Sequence, residues 1–149
     1  MPENTAKEAV FKEGRVEADG FSVRYWKAGQ GRPVFMLDAT GWRRSMLHDA
    51  LAEKYQVFSL ELPGVGDSPV NTTSKSLGDL ANTAAKAASS LTSERYTLIG
   101  TSFGAHVALW QTLQNPEQVE ALILISPTVI RPLDVTAGAT VLEVHELGF

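Results

Sequence analysis

Four short apolar runs constrain this chain more than anything else in it: Val34-Phe35-Met36-Leu37, Val57-Phe58-Ser59-Leu60, Tyr96-Thr97-Leu98-Ile99 and Ala121-Leu122-Ile123-Leu124-Ile125. They are nearly continuous rather than alternating, as expected of strands covered on both faces, so they predict a buried, mostly parallel sheet. Parallel strands need long crossovers, and the segments between the runs carry a helical pattern. Ser45 to Lys54 places Met46, Leu47, Ala50 and Leu51 on one side. Leu77 to Leu91 sets Leu77, Leu80, Ala81, Ala84, Ala88 and Leu91 on one stripe of period 3.6, with Ser76 and Asp79 as a cap at its start. Phe103 to Asn115 is the last helix, and Pro116 forbids its continuation. Upstream, Arg15 to Ala18 and Phe21 to Ala28 read as a hairpin around Asp19-Gly20.

The expected fold class is therefore α/β: an N-terminal β-hairpin, then a mostly parallel sheet, about six strands in total, flanked by helices. Residues 1–14 are polar and read as a flexible N-terminus. Residues 15–127 form the core, and 128–149 read as a tail or the start of a further region.

Composition narrows the chemistry. The chain has 149 residues, 44% of them hydrophobic and 20% charged, which are globular values. A net charge of −4 disfavours nucleic acid or an anionic membrane as partner. No run approaches the ~20 apolar residues that span a bilayer. With no cysteine, thiolate catalysis and Cys-ligated metals are excluded. No metal or cofactor is expected. Met1-Pro2-Glu3-Asn4-Thr5 lacks the basic and apolar regions of a signal peptide, and the expected location is cytoplasmic.

The sharpest motif is Gly100-Thr101-Ser102-Phe103-Gly104, between the third apolar run and the last helix. This is G-x-S-x-G in strand–turn–helix context, a nucleophile elbow. A sharp turn would lift the Ser102 hydroxyl above the sheet edge. Gly100 and Gly104 would be small because strand and helix pass close together there. The helix N-terminus would then face a developing oxyanion, with the Phe103 N–H as one donor. The competing reading is a tight β-α turn with an incidental serine.

A second motif, Glu61-Leu62-Pro63-Gly64-Val65-Gly66-Asp67-Ser68, follows the second run. Gly64-Val65-Gly66 could open a dinucleotide loop, but position 69 is Pro and a polar loop follows, so phosphate binding fails its context test.

Taken together, these segments resemble the α/β-hydrolase superfamily from about Arg15 to Pro127. The stretch from Leu60 to Ser68 is similar to that family's D-x-P-G-x-G-x-S segment, with Glu61 in place of the usual Asp. The resemblance implies a serine hydrolase acting on a small-molecule ester, lactone, amide or C–C bond. It assigns Ser102 as nucleophile and the N–H groups of Phe103 and Thr40 as oxyanion donors. Serine at the elbow argues against the dehalogenase and epoxide-hydrolase branches. Members commonly have His-Gly where this chain has Asp38-Ala39. Asp38 reads as a hydrogen-bonding loop residue or a substrate contact.

An activated serine needs a base and a group to orient it. In the family the acid and the histidine follow the serine. The residues after Ser126 include Asp134, Glu143, His145 and Glu146, but no strand scaffold is evident to fix His145 near Ser102. His48 is expected to face solvent, and His106 to pack beside Leu109 and Leu113. The simplest expectation is the N-terminal half of a longer hydrolase. A chain that pairs with a second chain and a divergent half-domain are the alternatives. The run at 121–125 would be an uncharged sheet edge, which favours a homo-oligomer through that edge. A non-catalytic binding module that keeps the turn is the rival function.

Overall fold

The computed structural model describes residues 8–38, 41–66 and 74–127. The hairpin comes first: β1 (Lys12–Ala18) and β2 (Phe21–Ala28) pair antiparallel from Lys12↔Lys27 to Ala18↔Phe21. The turn residues Asp19 and Gly20 both have positive φ, 51° and 80°. That is the backbone twist two-residue hairpins prefer. Strand β1 starts earlier than Arg15, and the residue before it, Phe11, packs against Trp42.

Each apolar run is a strand: β3 (Pro33–Leu37), β4 (Gln56–Glu61), β5 (Tyr96–Thr101) and β6 (Val119–Ile125). The helices α1 (Met46–Ala52), α2 (Leu77–Leu91) and α3 (Phe103–Gln114) make the three crossovers. The sheet order is β1-β2-β4-β3-β5-β6. The four later strands are mutually parallel, and β2 joins β4 antiparallel. The six-stranded, mostly parallel α/β sheet that the apolar runs predict is present.

Helices α2 and α3 pack together over one face, where Phe35, Leu37, Phe58, Leu98 and Val107 are buried. Each such side chain contributes roughly 1.5–3 kcal/mol when fully buried. The Asp79 N–H donates to Ser76 Oγ at 3.1 Å and caps α2 as its sequence predicts. Helix α1 and Phe11 cover part of the other face over Val34, Met36 and Val57. Strand β6 is the outer strand among the described residues, and Ile123 on it is 47% exposed.

Two sequence expectations fail at α1. Met46 is 80% exposed, and Leu47 and Ala50 also face outward. His48, expected in solvent, is only 3% exposed. The cause is the aromatic group beside the helix: the Trp42 and Phe11 rings meet the His48 ring edge-on at 5.1 and 6.0 Å. That contact, with Asp38 beyond it, outweighs the apolar side of a seven-residue helix. His106 is buried on α3 as expected, but Leu113 is exposed.

Candidate active site

In an open parallel sheet, ligands gather at the carboxyl ends of the strands where the strand order reverses. Here that point lies between β3 and β5, which lead to opposite sides of the sheet. The ends of these two strands are held in register, with Leu37 opposite Gly100. The loop after β3 and the turn after β5 therefore lie side by side.

Ser102 occupies that turn. Its backbone has φ 53° and ψ −116°, a combination ordinarily left to glycine. The Ser102 N–H donates to the Ile125 carbonyl at 3.0 Å, and the Ser102 carbonyl accepts from the Ala105 N–H at 3.0 Å. The first bond continues the β5–β6 ladder and the second opens α3, so the strain is held from both sides. Among the described residues no side chain hydrogen-bonds the Ser102 hydroxyl. The N–H of Phe103 belongs to the first turn of α3, whose donors point out of the helix end. The Phe103 ring stacks on His106 at 6.4 Å.

The glycines on either side mark very close approaches. A Cβ on Gly104 would lie 1.9 Å from the Leu37 carbonyl oxygen, and one on Gly100 would lie 2.6 Å from Ala105 Cα. Any side chain at either position would push α3 away from the sheet.

The loop after β3 is held by two acidic residues. Asp38 Oδ2 accepts from the Ser59 hydroxyl at 3.4 Å and lies 3.6 Å from His48 Nε2. Both partners belong to the scaffold, β4 and α1. At the far end, the Trp42 N–H donates to Glu61 Oε1 at 2.7 Å. The Trp42 ring stacks on Trp26 at 4.9 Å with an interplanar angle of 7°, and the Arg24 guanidinium covers Trp26 at 4.3 Å. Thr40 lies outside the described residues, as do Asp67, Ser68 and His145.

Sequence reasoning underrated Glu61, which is 4% exposed and touches the loop directly. Its place at the end of a buried strand, before two close glycines, was the available signal. It also missed Ser126, whose φ is 49° in the residue just after β6. No local pattern announces that. Among the described residues no group of three or more histidine and acidic side chains is placed to hold a metal ion.

The alpha/beta hydrolase fold family profile matches residues 31–144. Among curated relatives, the chain is 33% identical over 109 residues to a pimeloyl-[acyl-carrier protein] methyl ester esterase of Aeromonas hydrophila. That match covers 70% of this chain and 41% of the esterase. It is 30% identical over 112 residues to a soluble epoxide hydrolase of Corynebacterium, covering 72% of this chain and 38% of that enzyme. Among solved structures, a bacterial membrane phospholipase A superposes with a TM-score of 0.78 at 28% identity. The superposition covers 93% of this chain and 46% of the phospholipase. The chain thus spans less than half the length of these relatives.

Proposed function

The chain belongs to the alpha/beta hydrolase fold family, and from that premise we propose that it carries the nucleophile half of a serine hydrolase site. Ser102 attacks an acyl carbonyl, and the N–H groups of Phe103 and Thr40 hold the oxyanion. The observation that carries this reading is the backbone of Ser102, at φ 53° between β5 and α3. Strain of about 1–3 kcal/mol at a single serine persists where the surroundings enforce it, and such residues cluster at active sites. A helix N-terminus beside that serine stabilises a developing negative charge. Similarity to a methyl ester esterase favours an ester as substrate. Serine at this position disfavours epoxide opening, despite the likeness to an epoxide hydrolase.

The test is a fluorophosphonate probe on the protein expressed from its complete reading frame. Ser102 Oγ would form a bond to phosphorus as fluoride leaves and the hydroxyl proton passes to solvent. Labelling of the Ser102 peptide, absent in Ser102→Ala, is the expected result. Absence of labelling in the wild type would falsify the assignment.

One observation favours the rival reading of a non-catalytic binding module. The described histidines, His48 and His106, are both buried, and His48 Nδ1 is taken by Ser45. That reading predicts that Ser102→Ala leaves ligand binding unchanged and that no probe reacts.

A further inference from the structure

We propose that Asp19-Gly20 is a site of spontaneous backbone isomerisation in this chain, and that the grip of α2 on the Asp19 carboxylate holds the reaction back. Asp19 is the only aspartate or asparagine in the sequence that glycine follows. Glycine matters because the attacking group is its backbone nitrogen. Gly20 carries no Cβ to shield that nitrogen, and the space around it is open. Both turn residues are held at positive φ, 51° and 80°.

The step is a condensation followed by a hydrolysis. The Gly20 nitrogen attacks the Asp19 side-chain carboxyl carbon, Cγ. A C–N bond forms, a carboxyl oxygen leaves as water, and a five-membered succinimide closes. Water then adds to either ring carbonyl. Opening at Cγ restores aspartate, and opening at the α-carbonyl leaves Gly20 bonded through Cγ, as isoaspartate. One water is lost and one is gained, with no oxidation or reduction. Water reaches the turn through a groove lined by Asp19, Asn82, Lys86 and Ser89. Isoaspartate lengthens the main chain by one carbon at a two-residue turn. That turn fixes the Ala18↔Phe21 register of β1 and β2.

Three side chains of α2 oppose ring closure. The Lys86 ammonium bonds Asp19 Oδ1. The Thr83 hydroxyl donates to Oδ2 at 2.9 Å, closer than its other acceptor, the Asp79 carbonyl at 3.2 Å. Asn82 Nδ2 donates to Oδ2 at 3.3 Å. Both carboxylate oxygens are therefore tied to a helix 63 to 67 positions away in sequence. Thr83 is buried, so its hydroxyl is a fixed anchor rather than a surface contact. Cγ cannot swing onto the Gly20 nitrogen unless these bonds open. The neutral acid is the form that loses water, and the Lys86 bond, with lesser help from Thr83 and Asn82 and against partial burial, keeps the carboxyl ionised to lower pH than usual. The rate should thus follow the small population in which the turn has come away from α2.

The experiment ages the complete protein at neutral pH and physiological temperature. Isoaspartate is then counted in the Val16–Arg24 tryptic peptide by a protein isoaspartate methyltransferase assay. The synthetic Val16–Arg24 peptide, which has no α2 against it, sets the unclamped rate. Folded wild type should isomerise at least about tenfold more slowly than that peptide. Lys86→Ala and Thr83→Val should each be faster than wild type by about tenfold, the gain in open population expected for one lost hydrogen bond to a charged group. His48→Ala is the control for general instability, because it removes a buried ring from α1 on the far face of the sheet. It should age like wild type, and acceleration in either α2 variant but not in His48→Ala sustains the proposal. Three results overturn it: wild type as fast as the peptide, both α2 variants as slow as wild type, or His48→Ala as fast as the α2 variants.

Discussion

His48 Nε2 faces Asp38 Oδ2 across 3.6 Å, and the other ring nitrogen of His48 is taken by Ser45. Nδ1 accepts the Ser45 N–H at 3.2 Å and lies 2.7 Å from the Ser45 hydroxyl. With Nδ1 accepting from Ser45, Nε2 is the nitrogen that carries a proton toward the carboxylate. One imidazole joins the start of α1 to the start of the candidate oxyanion loop.

His48→Ala should cost about 2 kcal/mol, from lost ring contacts with Trp42 and Phe11 and a lost acceptor for Ser45. Ser45→Ala should cost about 1 kcal/mol as a cap substitution. Because the two share one contact, the double variant should lose less than the sum. Urea unfolding midpoints of the four proteins measure this.

Ser102 should show an inverted preference between glycine and alanine. In most positions glycine is less stable than alanine by roughly 0.5–1 kcal/mol. At φ 53°, Ser102→Gly relieves backbone strain that Ser102→Ala retains. Ser102→Gly should be the more stable of the two by about 1 kcal/mol, and neither should react with an acylating probe. Thermal unfolding of the pair settles the order.

Gly104→Ala should be far more damaging than Gly20→Ala. The first places a methyl 1.9 Å from the Leu37 carbonyl oxygen. The second enters open space and suffers only the positive φ of 80°. Gly20→Ala should cost about 1–2 kcal/mol. Gly104→Ala should cost more than about 3 kcal/mol, or abolish the cooperative transition. Equal losses would contradict the close approach of α3 to the end of β3.

The hairpin turn should contribute an acid-labile increment of stability. The Lys86 ammonium bonded to Asp19 holds its carboxyl below the usual carboxylate range, helped by hydrogen bonds from Thr83 and Asn82 and opposed by partial burial. A lowered folded pKa means the unfolded chain binds the proton more readily. The increment is therefore complete above about pH 4, near the unfolded value. It is lost as pH falls through the folded pKa. Asp19→Asn preserves the positive-φ turn, so it should be less stable than wild type at pH 7, and the gap should narrow as the pH is lowered to 2. Chemical denaturation at both pH values checks the sign.

The parallel sheet was legible because burial on both faces writes itself directly into residue choice. Val34 to Leu37 have no polar member, and all four are buried. The cap at Ser76 was legible because capping is local in sequence. The direction in which α1 turns was not, because it depends on Phe11 and Trp42, which come from different parts of the chain. Strand β4 extends past Leu60 to Glu61, and a buried carboxylate defeats any reading that stops a strand at its last apolar residue. At the candidate site, the spacing of Gly100, Ser102 and Gly104 was legible as a motif. The anchoring of the neighbouring loop by Glu61 was not, because their contact spans 19 positions and obeys no period.

The strand order also has a kinetic side. Strand β2 pairs only with β1 and β4, so the hairpin can form early and alone but enters the sheet only through β4. Strand β4 in turn is flanked by β3, so the sequence-distant pairing of β2 with β4 closes a large loop before it is rewarded. That pairing also brings Glu61 to its final position. The Trp42–Glu61 bond should thus mature with the docking of the hairpin. In a refolding experiment the stacked indoles of Trp26 and Trp42 should report that docking step.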